Sequence, residues 1–470
     1  MKRFARKLIR TKDLRSILSE SDNPLHGLKK VLGPVDLILL GIGVIIGAGI
    51  FATVGTAAAG DALRPGAGPA LMVSFLITAA VCGLAALCYA ELASLVPIAG
   101  SAYTYSYATF GELVAWIIGW DLMLEYGVGS IAVAISWSGY FIGLLKSVGI
   151  TIPDWAIHHN LPAIFIVALL TAILVIGIKE SARFSMGVVV IKLLVLGFFV
   201  AVGAFFVKPH NWVPFAPNGF AGIKAGAAIA FFSYIGFDCL STTAEETRNP
   251  SRDLPIGILG SLLICTVIYI VVTAVFTGLV PFSFLTGALS HQKAEPLALA
   301  MQYINLNWAM GIVAVGAVAA QIAVLIVLMM GQARIFFSMA RDGLLPSFFS
   351  KVHQKFRTPY ITTIITGVLI CLFAAFTNIE EMVDLTNIGT LFAFVLVCFG
   401  VIILRAREPH LKRGFRVPFS PVVPLLGAAA CFFLMTGLPI VSWYRFVIWL
   451  ALGLVVYFSY GIRHSLLHKR

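Results

Sequence analysis

Ionisable side chains inside long apolar runs are costly to bury and by default mark function. Lys192 stands in VVVIKLLVLGFF, with apolar neighbours on both sides. Apolar surroundings disfavour a charged ammonium, so a lysine there suits a proton-coupling role; the competing reading is a lysine permanently paired with an acid on another helix. Asp121 and Glu125, in WIIGWDLMLEYGVGS, are four residues apart and so share a helical face. They could line a cation-friendly cavity or compensate Lys192. Glu125 is the deeper and is favoured for a polar pathway, whereas Asp121 suits a bond to a neighbouring helix. Gln321, ahead of Met329 and Met330 in another apolar run, must find a partner on a second helix or on a substrate. Glu91, Glu112 and Asp238 fall near helix ends or breaks, where structural roles are expected.

The backbone offers a second kind of chemistry. DLILLGIGVIIGAGIFATVG holds Gly41, Gly43, Gly47, Gly49 and Gly55, and AAIAFFSYIGFDCLSTTAEE holds Gly236 near its centre. Interior glycine weakens a helix, and backbone groups freed in lipid must be satisfied by protein, water or ligand. The N-terminus of a half-helix presents free N–H groups and suits a carboxylate, while carbonyls ending the other half suit an ammonium. A zwitterionic amino acid fits both ends. The carboxylate is therefore expected on the amides of Gly47, Ala48 and Gly49, and the ammonium on carbonyls around Ile45, Phe232, Ser233 and Ile235. Phe232 is the natural gate over such a site, against the alternative that it simply packs. Gly43 and Gly47 also form GxxxG, which taken alone reads as close helix packing. A dinucleotide fingerprint is excluded, because no strand precedes the glycines.

These groups need helices to hold them at depth. The chain has 470 residues, 60% hydrophobic and only 11% charged, with a mean hydropathy of +0.97. So few polar side chains cannot build a water-facing surface, which excludes a soluble enzyme. Apolar runs long enough for a hydrocarbon core number about twelve: 35–60, 70–96, 112–145, 161–178, 184–207, 222–241, 256–281, 297–338, 360–378, 383–404, 422–440 and 444–462. The two glycine-broken runs lie five helices apart. Discontinuous helices at matching positions of two halves point to a transporter site between repeats. The expected organisation is a basic N-terminal tail (1–34), a first five-helix repeat (35–207), a second, inverted one (208–404), and two further helices with a short tail (405–470).

Of the 33 Lys and Arg, 26 fall in the tail and in alternate loops that share its side, six fall in the other loops, and Lys192 lies inside a helix. That bias predicts cytoplasmic termini. It also accounts for the net charge of +12, so nucleic acid is not an expected partner. The tail lacks the short apolar stretch and cleavage site of a signal peptide. Seven cysteines show no CxxC pairing and read as packing residues, not as a disulfide framework or zinc site. No His, Cys or acid set has metal-ligand spacing, so no metal, cofactor or membrane-enzyme chemistry is expected.

The strings GIGVIIGAGIF (41–51), ELASLVPIAGSAYTYSYATFGELVAWIIGWDLMLEY (91–126), FFSYIGFDCLSTTAEETRNPSRDLPIGI (231–258) and IFFSMARDGLLP (335–346) resemble the cationic amino acid transporter branch of the amino acid-polyamine-organocation superfamily. The resemblance implies an all-α integral membrane protein with a LeuT-like fold, helix breaks at Ile45–Gly49 and Phe232–Gly236, and usually proton coupling. It also implies that Lys192 stands where related sodium-driven carriers bind sodium, which favours the coupling role.

The expected function is proton-coupled import of cationic (arginine, lysine, ornithine) or small neutral amino acids, by rocking one helix bundle around a midplane site in a prokaryotic plasma membrane. An exchanger without net proton movement is the alternative, followed by a non-transporting amino acid sensor. The expected partners are the amino acid, protons and membrane lipid, with a small accessory membrane subunit or a sterol left open.

Overall fold

In hydrocarbon a spanning segment must satisfy its own backbone, so apolar runs of this length fold as helices. The computed structural model describes residues 10, 31–95, 101–177, 182–288, 295–411 and 413–466. Among these every regular element is helical, and extended pairing is confined to isolated bridges joining Leu32 to Thr247 and Gly60 to Pro65. Almost all of the basic tail at 1–34, and residues 96–100 of the ELASLVPIAG string, lie outside the described residues.

The principal helices are α1 (Pro34–Ile45), α2 (Val54–Ala59), α3 (Leu71–Leu95), α4 (Glu112–Ser147), α5 (Leu161–Ile176), α6 (Ala182–Ala204), α7 (Gly219–Ala230), α8 (Pro250–Leu279), α9 (Pro296–Tyr303), α10 (Asn307–Arg341), α11 (Tyr360–Ala374), α12 (Ile379–Arg407), α13 (Val422–Met435) and α14 (Ile440–Val456). Among the described residues nine stretches are long and apolar enough to cross a membrane, including Pro34–Ala59 and Gly219–Ser241, which contain the breaks. α5, α11 and α13 are apolar but only 16, 15 and 14 residues long. The run expected at 297–338 is not one helix. It divides into α9 and α10 at Asn305, which adopts φ 60°.

The outer surface carries Phe165, Leu194, Val368, Phe432 and Ile448, each more than half exposed, as lipid-facing helices require. Inside, α4 packs along α10 and α12, α8 along α1 and α3, and α5 along α11. α14 is tied to α4 by a reciprocal pair: Trp120 Nε1 donates to Trp449 O at 2.8 Å and Trp449 Nε1 to Trp120 O at 3.1 Å, with the rings stacked 4.6 Å apart. Glu91 and Glu112 have the structural roles expected of them. Glu91 accepts from Arg405 Nε at 2.9 Å and from the Val417 amide at 2.7 Å, and Glu112 accepts from the Tyr457 hydroxyl at 3.0 Å.

Candidate functional site

Local backbone sets the site. α1 stops at Ile45; Ile46 is extended (φ −74°, ψ 100°), and the chain resumes as a wide helical turn over Gly49–Thr53 that runs into α2. Among the described residues the amides of Gly47 and Ala48 meet no backbone carbonyl. The second interruption follows α7. A tight turn over Phe231–Tyr234 leads to Ile235 (φ −59°, ψ 137°) and Gly236 (φ 116°), after which a tight helix covers Phe237–Glu246. Both interruptions fall inside the stretches named from the sequence.

Glycine is required because the two breaks touch. A Cβ on Gly49 would collide with the backbone of Ser233, and one on Gly236 would lie 2.6 Å from Val44 Cγ1 besides straining a left-handed φ. Gly43 and Gly47 meet different helices, facing Val189 of α6 and Val324 of α10, so their GxxxG spacing serves two contacts and not a single helix pair.

A narrow cavity lies between the breaks. Ile45, Gly47, Ala48 and Gly49 line it from the first break, Phe232, Ile235 and Gly236 from the second, and Glu125 from α4. Phe232 is only 7% exposed. Much of the remaining wall is apolar, from Val133, Val324 and Leu328, with Thr386 of α12 adding a hydroxyl. These four were missed because their helix rotations are not legible in one sequence. A crevice beyond Thr53 and Thr56 ends at Arg64, whose guanidinium bridges Asp384 of α12 (2.8 Å) and Asp61 (2.7 Å).

Three expected site residues lie outside this wall. Ser233 is fully buried behind the second break, and its carbonyl accepts from the Tyr269 hydroxyl at 2.7 Å. The same hydroxyl lies 3.0 Å from Ile45 O, so α8 already engages two of the carbonyls expected to hold an ammonium. Tyr269 was not singled out; its sequence signal is a phenol within a long uncharged run. Gln321 is fully buried in α10 and its amide atoms have no hydrogen-bond partner among the described residues.

Lys192 is the third. Fully buried in α6, its ammonium donates to Gly43 O at 2.6 Å and to Ile46 O at 2.9 Å, the carbonyls that the first break frees. Among the described residues no acid is ion-paired with it, so neither permanent pairing nor compensation by Asp121 and Glu125 is what the structure contains. Asp121 makes no interhelical hydrogen bond among the described residues; both its oxygens are buried without partners, with Gly389 of α12 packed close by. Asp238, expected to be structural, is likewise fully buried, and among the described residues both its carboxylate oxygens lack a hydrogen-bond partner. All seven cysteines are free, as packing residues would be.

The arrangement can chelate a small ligand between backbone donors and acceptors, with a buried cation beneath one break. Comparison with known proteins agrees with that chemistry. A family model described as amino acid permease matches residues 32–458. The branched-chain amino acid permease BcaP of Bacillus subtilis is 46% identical over 473 residues, 98% of this chain and 99% of that protein. The methylthioribose transporter of Bacillus subtilis is 44% identical over 471 residues, with the same shares covered. The vacuolar cationic amino acid transporter 4 of Arabidopsis thaliana is 40% identical over 417 residues, 86% of this chain and 68% of that protein.

Proposed function

Because this chain belongs to the amino acid permease family, and is therefore a multi-pass membrane transporter and not an enzyme, we propose that it imports amino acids by proton symport across a bacterial plasma membrane. The observation that carries this is the seat of Lys192 on the Gly43 and Ile46 carbonyls. Losing its proton removes a cation from the first break, and the break then relaxes or recruits another donor. Protonation thus biases the two access states through their different affinities.

The substrate carboxylate sits on the amides of Gly47, Ala48 and Gly49. The ammonium faces the carbonyls around Phe232 and Ile235, with Ile45 and Ser233 shared with Tyr269. Phe232 gates the cavity, and Glu125 supplies the polar face of the pathway, with Gln321 of α10 a further polar group. The largely apolar wall favours small and branched neutral side chains over cationic ones, in keeping with the likeness to a branched-chain amino acid permease. A cationic side chain would be received by Glu125.

The scaffold is read as two inverted five-helix repeats, 35–207 and 208–404, with 405–470 appended and both termini cytoplasmic. In support, the second, third and fourth spans, α3, α4 and α5, pack against the seventh, eighth and ninth, α8, α10 and α11, as two interleaved copies would.

The test is uptake into liposomes of labelled leucine, alanine, arginine and methylthioribose, with and without an inward proton gradient. Symport requires that the gradient drive accumulation of an amino acid above its external concentration. If the gradient leaves every uptake unchanged while internal substrate accelerates it, the protein is an exchanger. If only methylthioribose enters, the amino acid assignment fails.

A further inference from the structure

A second, wider hollow lies apart from the central cavity at the end of α4. Its polar lining is Lys146 and Ser147 of α4, Glu295 and Gln302 at the two ends of the α9 segment, and Asn307 and Trp308 at the start of α10. Opposite charges thus line one space, yet among the described residues no ion pair joins Lys146 to Glu295. Glu295 Oε2 is shielded from solvent and, among the described residues, has no hydrogen-bond partner. Such a group costs free energy until something fills its place.

The carboxylate is held there by the shape of α4. It rests on Gly143, where a Cβ would collide with Oε2 and lie 2.9 Å from Cδ. Burial pushes the Glu295 carboxyl up to about 7, against the pull of Lys146. One side of the hollow is closed by Trp308, 59% exposed and packed edge-on against Phe198 at 5.7 Å.

We propose that this hollow binds a zwitterion, its primary ammonium on Glu295 and its acidic group on Lys146. A carboxylate or phosphate accepts from the ammonium of Lys146 and from the amides of Gln302 and Asn307, while the ligand ammonium supplies the donor that Glu295 Oε2 lacks. Two sources carry this chemistry, a free amino acid and a phosphatidylethanolamine headgroup. The site stands apart from the transport reading, but it reaches the same stretch of chain. Tyr140, one turn before Gly143, donates to Phe51 O at 2.5 Å, in the wide turn that follows the first break. An occupant that clamps α9 to α4 therefore bears on the helix that frames the central cavity.

The test is equilibrium binding of labelled alanine to the full-length protein in nanodiscs of phosphatidylglycerol alone and of phosphatidylglycerol mixed with phosphatidylethanolamine, with lipid retention read by native mass spectrometry. In phosphatidylglycerol the wild type is expected to hold one more alanine per chain than Glu295→Gln or Lys146→Ala. If that extra alanine persists in the mixed discs, free amino acid is the occupant. If it disappears there and the wild type retains more phosphatidylethanolamine than the variants, the lipid is. Equal alanine and equal lipid in all three proteins overturn the proposal. Lys146 is exposed, so its truncation keeps the test valid should Glu295→Gln not fold. Failure of the central-site reading would instead lower alanine binding equally in all three.

Discussion

The ammonium of Lys192 lies 2.6 Å from the carbonyl oxygen of Gly43, a residue 149 positions earlier in the chain. With Ile46 O at 2.9 Å, this puts a buried lysine where the last turn of α1 has carbonyls left over by the break. Lys192→Ala should abolish gradient-driven accumulation while leaving substrate exchange, measured as counterflow in liposomes. Each charge-assisted hydrogen bond lost costs about 1.5–3 kcal/mol. Thermal unfolding should therefore fall as well. Undiminished accumulation by the variant would remove Lys192 from the coupling mechanism.

Tyr269 joins the two breaks through one hydroxyl, 3.0 Å from Ile45 O and 2.7 Å from Ser233 O. Tyr269→Phe keeps the ring, which packs 5.4 Å from Phe75 and 5.3 Å from Tyr234, and deletes only the donor. The expected loss is about 1–3 kcal/mol of stability, from two buried acceptors that lose their shared donor. Substrate affinity should also change, because those carbonyls become free to meet an ammonium. A variant identical to wild type in both thermal unfolding and substrate binding would mean that water replaces the hydroxyl without cost.

Gly49 is pressed against the Ser233 backbone, whereas Gly197 in α6 has nothing within 4 Å of where a Cβ would sit. Gly49→Ala must separate the breaks and should weaken substrate binding by about tenfold or more, the equivalent of 1.4 kcal/mol. Gly197→Ala should leave binding unchanged. Paired isothermal titrations make the comparison, and an indifferent Gly49→Ala would refute the close approach of the two helices.

Glu295 sets a pH dependence. Its ordinary carboxyl value of 4.5 is raised to about 7 by burial, with Lys146 of α4 opposing; the nearby Tyr140 hydroxyl is engaged on Phe51 O. The folded state therefore holds a proton that the unfolded chain releases earlier. Stability is full below about 4.5, falls as pH rises towards about 7, and is flat above, a loss of at most about 3 kcal/mol. Thermal unfolding in that window should fall with pH for wild type and less steeply for Glu295→Gln. Zwitterion binding in the second hollow should run the other way, strengthening as pH rises through about 7, because only the carboxylate attracts the ammonium.

Much of the site was legible because it is built from backbone. Glycine content and the distance between two weak helices locate interruptions without knowledge of packing, and the observed breaks at Ile46–Ala48 and Ile235–Gly236 lie inside the stretches so located. Lys192 stood out for the same reason, since a charge in a long apolar run has no local explanation. Its partners did not. The acids of another helix, Asp121 and Glu125, were candidates to compensate it, but the ammonium found carbonyls at the first break instead, because a broken helix offers acceptors that no residue letter records.

The sequence by itself determined that the chain is a helical membrane protein, where its helices weaken and which buried charges need an answer, because hydropathy and glycine act through short-range physics. Only the tertiary structure decided which side chains meet. Helix rotation placed Val324 and Thr386 on the cavity wall and kept Ser233, Gln321 and Lys192 off it, and it brought Tyr269 between the two breaks. It also divided α9 from α10 at Asn305 and set Glu295 over Gly143, which no apolar pattern distinguishes from a continuous span. The physical reason is that an apolar helix surrounded by other apolar helices and lipid carries little amphipathic signal, so its orientation is chosen by packing with segments far away in the chain.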